Sequence, residues 1–503
     1  FPEFPLVLWA SKRIGRPVKW TCERSEAFLS DYQGRDLAAQ VELALDKKGR
    51  FLAMRGSHLS NVGGYTASIV PLRKGVSIFS GVYRVPVAHY RARAVLSNTM
   101  PTIPYRSAGR PEAMFIMERL CDLAALETGI DRVEIRRRNL IAPDELPYRT
   151  AFGVTYDNGD YEQAMDRSMA LADWPGFRKR RAESKKRGKL RGIGLANYIE
   201  LTMGYPREWS EVKVLPDGIV EVAVGTLSSG QGHETSFAQC VSEWLGVPFE
   251  SVRLVQGDTD IIPVGGGSHS GRSMRMAGVC MGNAANGVIE RSRQIVAHML
   301  KVEPKDVEFS NGSFKAAGSG RVVGLFEVAR AAQELNDLTD ALRGPLAAQS
   351  DVSFTAGGYP YGCAICEVEI DPDTGAIAVM RYSATDDVGR AINPMILHGQ
   401  THGGIAQGVG QALWEQCVVD PASGQVMTGS FMDYAMPRAD SLPSFDDDLM
   451  EIPSPSNPLG IRAGGEGGTD LSGTGADRGR ERGSEEAKGQ EELPKLSKER
   501  DRQ

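Results

Sequence analysis

Four stretches of the sequence concentrate polar, reactive side chains among glycines. GTLSSGQGHETSFAQCVSEWLG (225–246) runs from a strand pattern into a glycine-punctuated loop and then a helical pattern. Gly230, Gln231, Gly232 and His233 stand where that helix would begin. Free backbone N–H groups and the positive end of the helix dipole suit an anionic ligand there, and the Gln231 amide can both donate and accept. GGGSHSGRSMRMAG (265–278) repeats the design, with Arg272 and Arg275 as candidate phosphate partners and Ser270 and Ser273 as hydroxyl donors. HGQTHGGIAQGVGQAL (398–413) reads as a third glycine-rich loop, carrying Gln400, Gln407, Gly408 and Gln411. Three such segments in one chain predict a large, polar, phosphate-bearing cofactor. In the fourth stretch, NPLGIRAGGEGGTD (457–470), a single carboxylate, Glu466, sits among Gly464, Gly465, Gly467 and Gly468. Glycine gives up side-chain packing, and in exchange lets the backbone take unusual angles or approach a partner closely.

Other chemistries find less support. No GxxxxGK[ST] occurs, and GIGLAN (192–197) lacks the third glycine and the ribose-binding acid of a dinucleotide fingerprint. Cys363 and Cys366 form a CxxC with no second pair to complete four ligands, inside a strand-like run where i and i+3 face opposite ways. Core packing is the expected role. No HExxH spacing exists, and His233, His269, His398 and His402 read as polar loop contacts rather than metal ligands. No GxSxG elbow or catalytic cysteine context appears.

The elements that must position these residues follow from periodicity. Segments 41–56, 211–225 and 366–382 each alternate apolar and polar residues about an Asp/Gly turn, which predicts three hairpins. PEAMFIMERLCDLAALETG (111–129) predicts a helix opening on Pro111 and closing on Gly129, with Met114, Met117, Leu120 and Leu123–Ala124 as its apolar stripe. Asp131 is placed to cap a short helix after it. Strands and helices in mixed order predict an α+β fold. The basic run FRKRRAESKKRGKLRG (177–192) has no interleaved aromatics, so a polar helix face at a domain boundary is a better reading than a nucleic-acid patch.

With 503 residues the chain can hold two or more domains, and a net charge of −6 gives no reason to expect nucleic acid or an anionic membrane as partner. No apolar run approaches the roughly 18 residues of a membrane span. Seven scattered cysteines suggest reduced thiols and a cytoplasmic location. Glycine, 57 of 503, exceeds its usual share of roughly 7%, which fits many tight loops near a bulky ligand. Phe1 opens the chain with no signal-like segment behind it and reads as a cut. From Leu471 onward the sequence is charged and lacks aromatics, so disorder is expected.

Taken together and in order, TLSSGQGHET, GDTD with GGGSHSGRSM, TDDVGRAINPMILHGQTHGGIAQGVGQAL, GSFMDYAMPRADSLPSF and NPLGIRAGGEGGT resemble one family. It is the molybdopterin-binding large subunit of the xanthine dehydrogenase, aldehyde oxidase and aerobic carbon monoxide dehydrogenase family, with ERSEAF (23–28) and PYRSAGRPEA (104–113) also fitting. The resemblance implies two mixed α/β molybdopterin-binding domains with the cofactor between them. It divides the chain into 1–150, a linker and basic helix at 151–190, a second domain at 191–470 and a tail at 471–503. It implies a molybdenum hydroxylase that inserts water-derived oxygen into a C–H bond of an aldehyde or N-heterocycle, with Glu466 as general base. Gly230, Gln231, Gly232, His233, Ser270, Arg272, Ser273, Gln400, Gln407 and Gly408 would surround the cofactor, in its cytosine dinucleotide form, with Arg106 beside the metal. Electrons would leave through [2Fe-2S] clusters on a small subunit to FAD on a medium subunit, within a dimer of heterotrimers.

Three departures qualify the resemblance. Copper-dependent carbon monoxide dehydrogenases carry a cysteine where this chain has Ser107, and a hydroxyl is a poor ligand for soft cuprous ion, which disfavours CO oxidation. The family's GGxFGxK loop would lie upstream of Phe1, and after Thr469 the family continues into an apolar helix where this chain turns charged. The chain alone is therefore expected to be inactive, and the alternatives are an aerobic carbon monoxide dehydrogenase homologue, disfavoured by Ser107, or a non-catalytic truncated fragment.

Overall fold

In the computed structural model, which describes residues 3–316, 318 and 320–469, all three hairpins form. Leu37–Leu45 pairs antiparallel with Phe51–Asn61, Arg207–Val214 with Val220–Val224, and Tyr361–Ile370 with Ile377–Asp387. Their turns use the predicted residues: Asp46 accepts from the amides of Lys48 and Arg50, Asp371 from that of Asp373, and Gly49, Gly218 and Gly375 take positive φ. The tail expected to be disordered lies outside the described residues.

Each hairpin grows into a mixed sheet. Val87–Val95 joins the first hairpin in parallel. Leu346–Ser353 and Val252–Val255 flank the second, giving four strands. The third lies between Leu190–Ile199 and Phe445–Met450 in a second four-stranded sheet. Leu190–Ile199 is buried along nearly its whole length, as its unbroken apolar run requires.

The helix Arg110–Thr128 has Pro111 in its first turn and ends on Gly129 at φ 69. Its buried stripe is Met114, Met117, Cys121, Ala124 and Ala125, whereas Leu123, expected in the stripe, is 38% exposed. The 3.6-residue period carries the stripe from 117 to 121 and turns 123 outward. The Asp131 carboxylate caps Arg132–Arg137 by accepting from the amides of Val133 and Glu134.

Two hydrophobic cores result. One combines residues between Phe51 and Leu201 with residues between Tyr359 and Met450; the other is built from Val212 to Leu346. Cys363 and Cys366 are fully buried in the first core, and burial pushes both thiols far above their ordinary range. The basic run forms the helix Phe177–Lys186 and leads directly into Leu190–Ile199. Arg180 pairs with Glu367 at 2.5 Å and Arg187 pairs with Glu369, both acids lying on the neighbouring buried strand.

Candidate active site

The segment carrying Glu466 is fastened before it reaches the cleft. Ile461 bridges Gly389, and Asn457 donates to the Arg275 carbonyl at 2.9 Å. Arg462, fully buried, pairs with Asp157 at 2.9 Å and Asp387 at 3.4 Å. Ala463 then takes φ 133, a conformation that costs an L-residue on the order of 1–3 kcal/mol and persists only where the surroundings impose it.

None of the four glycines around Glu466 has positive φ; their role is close approach. A Cβ on Gly464 would lie 2.5 Å from a Leu397 methyl, one on Gly467 2.0 Å from the Tyr198 hydroxyl, and one on Gly468 2.7 Å from the Thr401 carbonyl. Only Gly465 has room, with its nearest neighbour, Gln400, at 3.8 Å.

Two donors aim the Glu466 carboxylate and a third holds its backbone. Arg110 donates to Oε2 at 3.0 Å and the Ser107 amide donates to Oε1 at 3.2 Å, while the Ser107 hydroxyl donates to the Glu466 carbonyl at 3.0 Å. Arg110 is itself buried and pairs with Glu200 at 2.6 Å. Lys74 completes this group of charges: it donates to the Ser270 hydroxyl at 3.0 Å and to the Met203 carbonyl at 3.2 Å. Burial, with the charge of Arg110, lowers its ammonium pKa.

Arg106 ties this segment to the helix Pro394–Leu413. Its guanidinium donates to the Gly465 carbonyl at 2.8 Å, the Gln407 side chain at 2.9 Å and the Gln400 carbonyl at 2.9 Å. That helix replaces the loop expected at 398–413. Asn393 caps it by accepting from the Ile396 amide at 3.0 Å, with Pro394 at its start. Its glycines serve packing: a Cβ on Gly404 would meet the Thr469 amide at 2.9 Å, and one on Gly410 would meet Pro437 at 2.8 Å. His398 and His402, four residues apart on this helix at HxxxH spacing, each donate to Asp447 at 2.5 and 2.9 Å. Among the described residues no group of three histidine, cysteine or acidic side chains is arranged to hold a metal ion.

Between these elements opens a cleft of about 310 Å³. Arg106, Gln231, His233, Ser270, Ser273 and Gln400 line it, and among the described residues Glu466 is its one carboxylate. Gly225 and Gly265 pinch its two loops together, since a Cβ on Gly225 would lie 2.4 Å from the Gly265 Cα. Gly232, at φ 78, opens the helix His233–Leu245, whose first turn has no side-chain cap. Gly230 takes φ 100 in open space. Burial lowers the pKa of His233 and of His269, whose ring donates to the Gly266 carbonyl at 3.0 Å, so both favour the neutral imidazole.

Arg272, Gln407 and Gly408 fall outside the cleft wall, as do Gly230 and Gly232. Arg272 is fully buried, pairs with Glu208 at 2.6 Å and donates to the carbonyls of Tyr205, Gly267 and Arg207. It shapes the loop from behind, and its guanidinium is occupied before any phosphate could reach it. Gln407 stands behind Arg106, and Gly408 is buried in the helix. Arg275 does reach the cleft. Its hydrogen bonds go to the Ala356 and Ser456 carbonyls and the Ser456 hydroxyl, and its Nε has no partner. Arg275 makes no ion pair among the described residues, although Asp157 lies near enough to act on its charge, and a buried guanidinium of this kind beside an uncapped helix start and hydroxyl donors fits a large anionic cofactor.

Sequence reading gave no role to Arg110, Glu200 or Lys74. Glu200 left a signal, because one acid directly follows the apolar strand GIGLANYI and a buried acid needs a partner. Arg110 and Lys74 left none, because their meeting with Glu466 spans more than 350 residues of chain.

A family model described as a molybdopterin cofactor-binding domain matches residues 1–140, and a second of the same description matches residues 167–443. The chain is 36% identical over 474 residues to the 6-hydroxypseudooxynicotine dehydrogenase complex subunit gamma of Paenarthrobacter nicotinovorans, covering 93% of this chain and 60% of that protein. It is 33% identical over 482 residues to the carbon monoxide dehydrogenase large chain of Hydrogenophaga pseudoflava, covering 92% and 60%. The crystal structure of quinoline 2-oxidoreductase from Pseudomonas putida 86 matches with a TM-score of 0.90 at 32% identity, covering 97% of this chain and 64% of that one. The chain thus spans 60% of the length of these curated relatives. The two matched models cover the cleft-lining residues from Arg106 to Gln400, while the Glu466 segment lies beyond them, and the chain belongs to the molybdopterin-binding large-subunit family of the xanthine dehydrogenases, aldehyde oxidases and carbon monoxide dehydrogenases.

Proposed function

We propose that this chain supplies the large subunit of a molybdenum hydroxylase that oxidises an N-heterocycle or aldehyde by inserting water-derived oxygen at a C–H bond. The observation that carries the reading is the Glu466 carboxylate, aimed into a cleft otherwise lined by neutral and cationic groups. When bound, the molybdenum–pterin group supplies the two-electron redox chemistry and the link to the electron-transfer partners. Gln231, Ser270, Ser273, Arg275 and the first turn of His233–Leu245 would hold its phosphates, and the cytosine dinucleotide form would use the full run of donors. Residues 1–150 and 191–470 are its two proposed binding regions, and they share the first hydrophobic core.

Glu466 acts as general base. One oxygen is held by Arg110 and the other by the Ser107 amide, which fixes the carboxylate's direction, while the open cleft leaves it free to accept a proton. Arg106 keeps the Gly465 peptide, and so the root of that side chain, against the helix. Ser107 is engaged with Glu466 through both its amide and its hydroxyl, which argues against a copper site and against CO as substrate. A small [2Fe-2S] subunit and a medium FAD subunit are the proposed partners, in a cytoplasmic dimer of heterotrimers.

Glu466→Gln in the assembled complex tests the base. Turnover should fall by about 10²–10⁴ with bound molybdenum unchanged. Wild-type turnover in that variant would refute it.

A further inference from the structure

Beneath the Glu466 segment, on the side away from the cleft, lies a buried pair that the proposed reaction does not use. Tyr198, the penultimate residue of the strand Leu190–Ile199, is 1% exposed and donates its hydroxyl to Asp386 Oδ1 at 3.1 Å. Thr401, on the helix Pro394–Leu413, donates to Asp386 Oδ2 at 3.1 Å. Burial raises the Asp386 carboxyl to about 6, with these two hydrogen bonds opposing the rise.

The other side of the tyrosine meets the segment directly. A Cβ on Gly467 would lie 2.0 Å from the Tyr198 hydroxyl oxygen and 2.6 Å from its ring Cζ, so the phenol is pressed against bare backbone one residue past Glu466. Along an extended chain, residues two apart share a face. Tyr198 and Glu200 are such a pair, and Glu200 holds Arg110, which holds the Glu466 carboxylate. One strand end therefore bears on the segment twice, directly at the Gly467 backbone and through Arg110 at the Glu466 carboxylate.

We infer that Tyr198, fixed by Asp386, is a positioning residue that sets how far the Glu466 backbone stands from the sheet, a role that rests on Glu466 being the base. Glu200 and Arg110 fix the carboxylate laterally, and the phenol sets its height. A hydroxyl anchored to a carboxylate keeps the ring in one orientation. Loss of that anchor weakens the hold on the ring's orientation, and Gly467, which has no side chain, cannot compensate. A misplacement of about 1 Å at a catalytic group can lower turnover roughly a hundredfold.

Amide hydrogen exchange in the purified chain tests this without turnover, because the Ser107 and Thr469 amides donate to the Glu466 carboxylate and carbonyl. Tyr198→Phe and Asp386→Ala should speed exchange at both amides by roughly tenfold or more, with Ile365 and Val368 in the strand core unchanged. Asp386→Asn keeps an acceptor oxygen for the phenol and should preserve protection. In the assembled complex, Tyr198→Phe should lower kcat per bound molybdenum by about ten- to a hundredfold with KM within about twofold. Unchanged exchange in Tyr198→Phe, or faster exchange spread equally through both cores, would overturn the assignment. Full turnover in Glu466→Gln would instead overturn the functional proposal, and the exchange result would still decide whether Tyr198 sets the segment's position.

Discussion

Arg110 Nη2 lies 3.0 Å from Glu466 Oε2, and the same buried guanidinium reaches Glu200 at 2.6 Å through Nε. One cation thus serves a structural acid and the acid proposed to act in catalysis. Removing it takes the ion-pair partner from a fully buried Glu200, so Arg110→Met is expected to cost about 3–5 kcal/mol in denaturant unfolding. Arg110→Met combined with Glu200→Met should recover much of that loss. A single variant as stable as wild type would show that the pair does not hold the fold.

The glycines flanking Glu466 separate by contact. Gly467→Ala drives a methyl into the Tyr198 hydroxyl, whereas Gly465→Ala meets nothing closer than 3.8 Å. The first should destabilise by about 1–3 kcal/mol, as overpacking does, and the second by less than about 0.5. Paired thermal melts decide the order, and equal effects would contradict the packing described.

Asp386 gives a pH signature. Its folded-state pKa is raised from 3.8 to about 6, so the folded chain holds a proton that the unfolded chain releases. The stability it contributes is present below pH 3.8 and is lost as pH rises towards 6, by at most about 3 kcal/mol. Asp386→Asn should therefore melt near wild type at pH 4 and above it at pH 8. A constant difference across that range would refute the shift.

Arg272 and Gln231 should fail in different ways. Arg272→Met breaks a fully buried pair with Glu208 and should lower unfolding stability by about 3–5 kcal/mol even without cofactor. Gln231→Ala changes a cleft-lining side chain and should leave unfolding within about 0.5 kcal/mol while lowering bound molybdenum. Metal analysis beside denaturation separates the two.

The sequence by itself determined what depends on neighbours along the chain. The three hairpins follow from alternation about Asp/Gly turns, the Asp131 cap from its position, and the burial of Cys363 and Cys366 from an apolar strand. The order of the glycine-rich motifs likewise led to the family and to Glu466. Residues 398–413 were misread because glycine signals a loop locally, whereas here it clears space for the backbone of 468–469 against a helix. Only the tertiary structure decided that Arg272 is buried behind the cleft, that Arg106 joins Gln400 to Gly465, and that Lys74, Arg110 and Glu200 gather around Glu466. Those relationships join residues hundreds of positions apart, and a charge's role there is set by which partner folding brings within about 3 Å of it.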